Sequence, residues 1–112
     1  MDTKYLFFAT GGGMDSASES AIYPLSSFRG IHPISATILA LRFDPMFITD
    51  VAAGDATDLI AITFASSNYL TVATAIIDFI NSSNPGLVKI CDVDNSVFCN
   101  NLITGCSITL AA

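Results

Sequence analysis

Charged residues are scarce in this sequence, and basic residues are the scarcest of all. Only 12% of the 112 residues are charged, against about 25% in a typical soluble domain. The four lysine and arginine residues are scattered, whereas ten acidic residues give a net charge of −6. Binding to nucleic-acid phosphates depends on clustered lysine and arginine. The composition therefore predicts no direct contact with nucleic acid.

Long apolar runs are missing as well. A membrane-spanning helix needs about 18 or more consecutive apolar residues. The best stretches, "ISATILALRF" and "YLTVATAIIDFI", are well short of that length and contain polar or charged residues. The first residues also lack the pattern of a signal peptide. We therefore predict neither a membrane span nor a secretory leader.

Histidine and cysteine, the usual residues of catalytic and metal sites, are few. His32 is the only histidine, so any Ser–His or Cys–His catalysis would need it, and "RGIHP" predicts a turn instead. The three cysteines, Cys91, Cys99 and Cys106, are odd in number and widely spaced. Structural zinc sites use four ligands with a closely spaced cysteine pair, and secreted disulfide frameworks use even sets. We predict buried structural thiols, synthesis in a reducing compartment and no metal.

Gly11, Gly12 and Gly13 follow a predicted strand, where a phosphate-binding loop could lie. Such a loop needs a lysine beside its glycines, because the lysine neutralises the phosphate charge. Here Met14 and Asp15 follow the glycines instead. The sequence therefore predicts a pliable connector without a phosphate.

Acidic residues cluster in two predicted loops, where they could bind a cation. The segment "DVDNS" resembles the start of a calcium-binding EF-hand loop, but Ile103 stands where the loop needs its bidentate glutamate. We predict solvated loop carboxylates and no bound cation. The residues concerned are Asp50, Asp55, Asp58, Asp92 and Asp94.

Alternating and helical patterns indicate one domain, residues 1–112, of the α+β class. Short apolar or alternating runs predict strands at 4–9, 35–43, 58–65, 87–93 and 102–110, with an extended edge segment at 20–28 that contains Pro24. A loop at 44–57 and a turn region at 94–101 separate some of them. We expect a mostly antiparallel sheet of about five or six strands with one helix packed on a face.

The helix is predicted from residue 69 to residue 80. The residues at 66–68 supply a cap, and "NSSNPG" at 81–86 ends the helix because Pro85 cannot continue it. Ile77 and Phe79 are expected to widen its apolar stripe. The stripe itself consists of Tyr69, Val72, Ala73, Ile76 and Ile80.

Apolar residues make up 52% of the chain. So few charges cannot cover the surface of a small monomer, which favours contact with neighbouring subunits. Strand alternation places Tyr5 and Phe7 on one face and Phe8 on the other. Core packing or a subunit interface would account for this aromatic set, which also includes Tyr23 and Phe28.

The segments "YP…FRGI", "DLIAITF", "VATAIIDFIN" and "NLITGCSITL" carry a resemblance that covers most of the chain. In these segments the chain resembles small structural proteins of marine and cyanobacterial tailed bacteriophages, of the capsid decoration type. The resemblance implies a component of the virion, made in the host cytoplasm, and transfers no catalytic residue.

Composition and resemblance together predict a capsid decoration (cement) protein that stabilises subunit junctions, and not an enzyme. Its expected partners are the major capsid protein and further copies of itself, in small cyclic homo-oligomers such as trimers. One alternative is another self-assembling subunit of a tail, head–tail junction or shell lattice. A second alternative is a small enzyme or ligand-binding domain that uses His32, Asp92 and Asp94. No cofactor is expected.

Overall fold

The structure, a computed structural model, describes residues 4–45, 57–65 and 67–110. Within these residues the chain forms eight strands, a short 3-10 turn and one α-helix. In chain order they are β1 (Lys4–Ala9), β2 (Ser20–Pro24), the 3-10 turn (Leu25–Ser27), β3 (Phe28–Ser35), β4 (Ile38–Phe43), β5 (Asp58–Phe64), α1 (Tyr69–Ser82), β6 (Gly86–Asp92), β7 (Val97–Phe98) and β8 (Ile103–Thr109).

The strands form two four-stranded sheets. Sheet 1 has the order β2-β1-β6-β7, and sheet 2 has the order β3-β4-β5-β8. Only β1 and β6 pair in parallel among the described strand pairs; the others are antiparallel. The predicted α+β class with mostly antiparallel pairing is confirmed. The strands are divided between two sheets, where the sequence suggested one larger sheet.

Apolar side chains of both sheets and of α1 meet in one core. The helix lies against β4 and buries four of the five side chains that the helical periodicity predicts, whereas the fifth, Tyr69, is half-buried. Ile77 and Phe79 do not widen that stripe, because 37% and 36% of their surfaces are exposed. The largest fully buried side chains are Tyr23, Phe8, Phe43, Leu6, Leu39, Leu41, Ile60, Ile62, Ile76, Ile90, Val72 and Val88.

Lys4 joins the start of β1 to the end of the helix. Its Nζ donates a hydrogen bond to the backbone carbonyl of Ile80 over 2.6 Å. The last carbonyls of a helix lack partners within the helix and carry partial negative charge. A lysine from another element therefore stabilises this end and fixes α1 relative to sheet 1.

The segment "RGIHP", predicted as a turn, is part of β3. Pro33 is tolerated there because β3 is an edge strand, where a missing N–H need not leave a gap in the sheet. The chain turns instead just after β3, where the Thr37 N–H donates to Ser35 Oγ over 3.3 Å. Strand β4 therefore begins at Ile38 and not at residue 35.

Two further expectations about the extended segments have clear outcomes. The segment predicted as extended at 20–28 is divided: β2 (Ser20–Pro24) is the outermost strand of sheet 1, at an edge as predicted, whereas Leu25–Ser27 form the 3-10 turn and Phe28 begins β3. The turn region at 94–101 contains a strand that the sequence did not predict, since Val97 and Phe98 pair with β6. The predicted loop at 44–57 falls largely outside the described residues.

Candidate functional site

Sheet 1 presents a largely apolar face away from the core. The register of the sheet aligns Phe7 of β1 with Ile22 of β2 and with Lys89 of β6. Tyr5 and Leu87 are the neighbouring pair on the same face. Because side chains alternate along a strand, all five point to the side opposite the core.

Four apolar side chains on this face are well exposed: Tyr5 (42%), Ile22 (47%), Leu87 (51%) and Val97 (41%). Phe7 lies among them and is 7% exposed. A solvated face of an antiparallel sheet normally carries polar residues. We call Tyr5, Phe7, Ile22, Leu87 and Val97 the outward apolar face.

The sequence predicted part of this face and missed the rest. Tyr5 and Phe7 share a face opposite Phe8, as the alternation indicates. Ile22, Leu87 and Val97 were missed because they come from strands that lie far apart in the chain. Two other members of the predicted aromatic set lie elsewhere: Tyr23 is buried in the core, and Phe28 packs against Phe43 with ring centroids 5.4 Å apart.

The three glycines form a loop that binds a carboxylate of the same chain. The N–H of Gly13 donates to Asp94 Oδ1 over 2.9 Å, and the N–H of Gly11 donates to Asp94 Oδ2 over 3.3 Å. Gly11 and Gly13 have φ angles of +101° and +96°, which favour glycine. Successive N–H groups in such turns form a concave anion site. The loop is thus attached to the β6–β7 turn, whereas the sequence predicted a pliable connector.

Replacing Asp94 with alanine should release this loop. Amide hydrogen exchange at Gly11 and Gly13 should accelerate roughly tenfold, because two hydrogen bonds to a carboxylate are lost. The matched control is Asp78→Ala, since Asp78 lies exposed on α1. Unchanged exchange at both glycines in the Asp94 variant would contradict the assignment.

The other acidic residues also serve internal contacts. Asp58 is buried and accepts a hydrogen bond of 2.6 Å from the hydroxyl of Tyr23. Asp92 is buried and accepts hydrogen bonds from the backbone and side-chain nitrogens of Asn95. The sequence suggested that both are solvated loop carboxylates, and for Asp58 and Asp92 that prediction is wrong. Asp50 and Asp55 lie outside the described residues.

The three thiols lie close together around the end of sheet 1. Cys91 is buried, and Cys99 and Cys106 are half-buried. The pKa of Cys91 is raised by a hydrogen bond with Cys106 and by burial, and the same hydrogen bond lowers the pKa of Cys106. Burial raises the pKa of Cys99 to about 11. Among the described residues, no group of three or more histidine, cysteine or acidic side chains has the arrangement of a metal site.

His32 is exposed on β3, and among the described residues its hydrogen-bonding contacts are with Arg42 and Pro33. Its Nε2 accepts a hydrogen bond from Arg42 Nε over 3.2 Å. The other ring nitrogen, Nδ1, lies 3.1 Å from the Pro33 carbonyl oxygen. These contacts orient the imidazole along the edge of sheet 2.

A shallow groove of about 390 Å³ separates β3 from α1. Phe28, Ile31, Ala73 and Ile77 supply its apolar lining, and Thr74 and Asp78 its polar atoms. The one carboxylate of this lining has no histidine or cysteine beside it. The groove therefore offers apolar contact area without a catalytic pair.

The fold and its surfaces define a two-sheet α+β domain that has the outward apolar face on sheet 1. Within the described residues the helix has 14 residues and is too short to span a membrane. Comparisons with protein-family models, curated proteins and solved structures found no match. The resemblance to phage virion proteins therefore stays a prediction.

Proposed function

We propose that this protein is a structural subunit of a virion, a capsid decoration protein that functions by packing against other protein subunits. In this proposal the outward apolar face contacts a neighbouring subunit in a small homo-oligomer. Other surfaces contact the major capsid protein. The protein then stabilises junctions between capsid subunits and needs no catalytic residue.

The outward apolar face is the observation that carries the proposal. Its members come from all four strands of sheet 1, which is a rigid support for them. Exposed apolar patches of this kind are typical of protein interaction sites. Burying such a patch removes apolar surface from water at about 25 cal/mol per Å².

One exposed charged side chain also lies on this face. Lys89 is the exposed charged side chain at the centre of this face, and 45% of that side chain is accessible. Its Nζ lies 4.0 Å from the buried carboxylate of Asp92. Interface centres are depleted in charge because desolvating a charged group is costly. A subunit that covers this face must therefore leave the Lys89 ammonium solvated or pair it with a carboxylate.

The decisive experiment places lysines on the outward apolar face. Sedimentation velocity of the double variant Ile22→Lys/Leu87→Lys should show monomers at concentrations where the unchanged chain is oligomeric. We expect the self-association constant to fall at least about 100-fold, because central apolar contacts dominate interface energies. Circular dichroism checks that the variant is folded.

Leu70→Lys is the matched control. Leu70 is 73% exposed on α1 and lies outside the outward apolar face, so this variant should associate like the unchanged chain. If Leu70→Lys weakened self-association as much as the double variant does, the assigned interface would be wrong. An unchanged chain that stays monomeric and does not bind capsids would overturn the proposal as a whole.

Imaging the intact particle tests the location. Copies of the chain on the outer capsid surface, at subunit junctions, would support a decoration protein. Copies in a tail or at a head–tail junction would replace that part of the proposal with the alternative assembly role.

A further inference from the structure

Two of the three cysteines come together from different sheets. Cys91 lies on β6 of sheet 1, and Cys106 lies on β8 of sheet 2. Cα atoms of these two strands approach within 8 Å of each other. Both side chains point into the space between the sheets, since Cys91 is part of the core and Cys106 packs against it.

A contact with the backbone of β1 shows where the Cys106 sulfur lies. Cys106 Sγ lies 3.4 Å from the carbonyl oxygen of Ala9. The same carbonyl accepts a hydrogen bond of 3.0 Å from the N–H of Val93. Phe8, the residue before Ala9, is the register partner of Cys91. Cys106 therefore reaches across to β1, the strand that pairs with β6 at Cys91.

We propose that Cys91 and Cys106 are a site of reversible disulfide formation that joins the two sheets, with Cys106 oxidised first. The oxidant is a hydroperoxide, such as hydrogen peroxide. This inference rests on the positions of the thiols and does not depend on the assembly proposed above.

Cys106 is the better first target because it is half-buried, whereas Cys91 is fully buried. The interaction with Cys91 also lowers the pKa of the Cys106 thiol, and the thiolate is the reactive form. Cys99 has less thiolate at neutral pH, since burial raises its pKa to about 11.

The reaction has two steps. The Cys106 thiolate attacks one peroxide oxygen, the O–O bond breaks, and hydroxide leaves as Cys106 becomes a sulfenic acid. The Cys91 sulfur then attacks the Cys106 sulfur, the S–O bond breaks, and water leaves with the proton of Cys91. Overall, the two thiols give two electrons to the peroxide and lose two hydrogen atoms. A dithiol reductant reverses the change.

The product would connect strands that the chain brings together only through folding. Closing the segment between Cys91 and Cys106 restricts the unfolded chain, so oxidation should raise the thermal midpoint by about 5 °C or more. A bond between Cys91 and Cys99 would instead stay within sheet 1, where the Cys99 N–H donates to the Ile90 carbonyl.

The test treats the reduced full chain with one equivalent of hydrogen peroxide at neutral pH and maps the product without reduction. Chymotrypsin is the suitable protease because cleavage after Phe98 and Leu102 puts the three cysteines into separate peptides. Trypsin cannot separate them, since Lys89 is the last basic residue. We expect a Cys91–Cys106 linked pair, removable by dithiothreitol.

Cys99→Ser is the matched control and should give the same linked pair, whereas Cys106→Ser should give none. Mapping of the unchanged chain decides the question even if Cys106→Ser does not fold. A Cys91–Cys99 or Cys99–Cys106 link as the main product would overturn the proposal. So would oxidation to sulfinic acid without a disulfide, or no reaction.

Discussion

Replacing Phe43 with alanine is expected to lower the free energy of unfolding by about 3–5 kcal/mol. Phe43 is fully buried, and its ring stacks on that of Tyr23 with centroids 4.4 Å apart. The rings of Phe8 and Phe28 contact it at centroid distances of 5.8 and 5.4 Å. Alanine would leave a cavity between rings from both sheets, and the rigid strands could not close it.

Phe79→Ala provides the comparison for this prediction. Phe79 is 36% exposed on α1, so its loss should cost less than about 1.5 kcal/mol. Urea unfolding of both variants measures the difference. Similar costs for the two variants would show that the aromatic cluster does not anchor the core.

The second large effect is expected at the buried contact between Tyr23 and Asp58. Asp58→Ala should destabilise the fold by about 2–3 kcal/mol, because a buried hydroxyl loses its acceptor. The donor and acceptor oxygens are 2.6 Å apart, and both residues are at most 2% exposed. Asp58→Asn is the matched control, since the amide oxygen can still accept from the phenol. If Asp58→Ala lost no more free energy of unfolding than Asp58→Asn, this account would be wrong.

The same contact should make stability depend on alkaline pH. Burial, together with the hydrogen bond to Asp58 and its charge, raises the pKa of Tyr23 above its ordinary value of 10.0. A raised pKa means that the folded state retains the proton which the unfolded state loses. The contribution of the Tyr23 phenol to the free energy of unfolding is therefore complete below pH 10. It declines as pH rises further, by up to about 1.4 kcal/mol per pH unit.

Tyr23→Phe isolates this dependence, because it removes the phenol and leaves the cysteines to titrate as before. Urea midpoints of both proteins between pH 8 and about pH 11 provide the measurement. We expect the urea midpoint of the unchanged chain to lie above that of Tyr23→Phe, and this difference to shrink above pH 10. A constant difference across that range would show that Tyr23 ionises equally well in both states.

Local patterns in the sequence were sufficient to predict most of the secondary structure. The helical spacing of Val72, Ala73, Ile76 and Ile80 identified the buried side of α1, because that spacing places side chains on one face whatever surrounds the helix. Alternation separated Tyr5 and Phe7 from Phe8 in the same way. "RGIHP" was predicted wrongly as a turn, since Pro33 is compatible with a strand only at an edge, and strand order is not a local property.

The charged and polar residues of the candidate sites were harder to interpret. Acidic residues near the glycine loop argued against a bound phosphate. A different acidic residue, Asp94, lies 81 positions from Gly13 in the sequence and accepts hydrogen bonds from the loop's N–H groups. Asp58 and Asp92 looked like solvated loop residues and are buried, because each has hydrogen-bond partners that only the folded chain supplies.

The amino-acid sequence by itself determined the α+β class, the helix and its buried stripe, most strand positions, and the low charge of the surface. These follow from periodicity and composition, which act over a few residues. Only the tertiary structure decided that the strands form two sheets and that apolar residues of four strands share one outward face. It also decided that the strands of Cys91 and Cys106 approach each other at the core. Such contacts join distant segments, and packing of the whole core selects them.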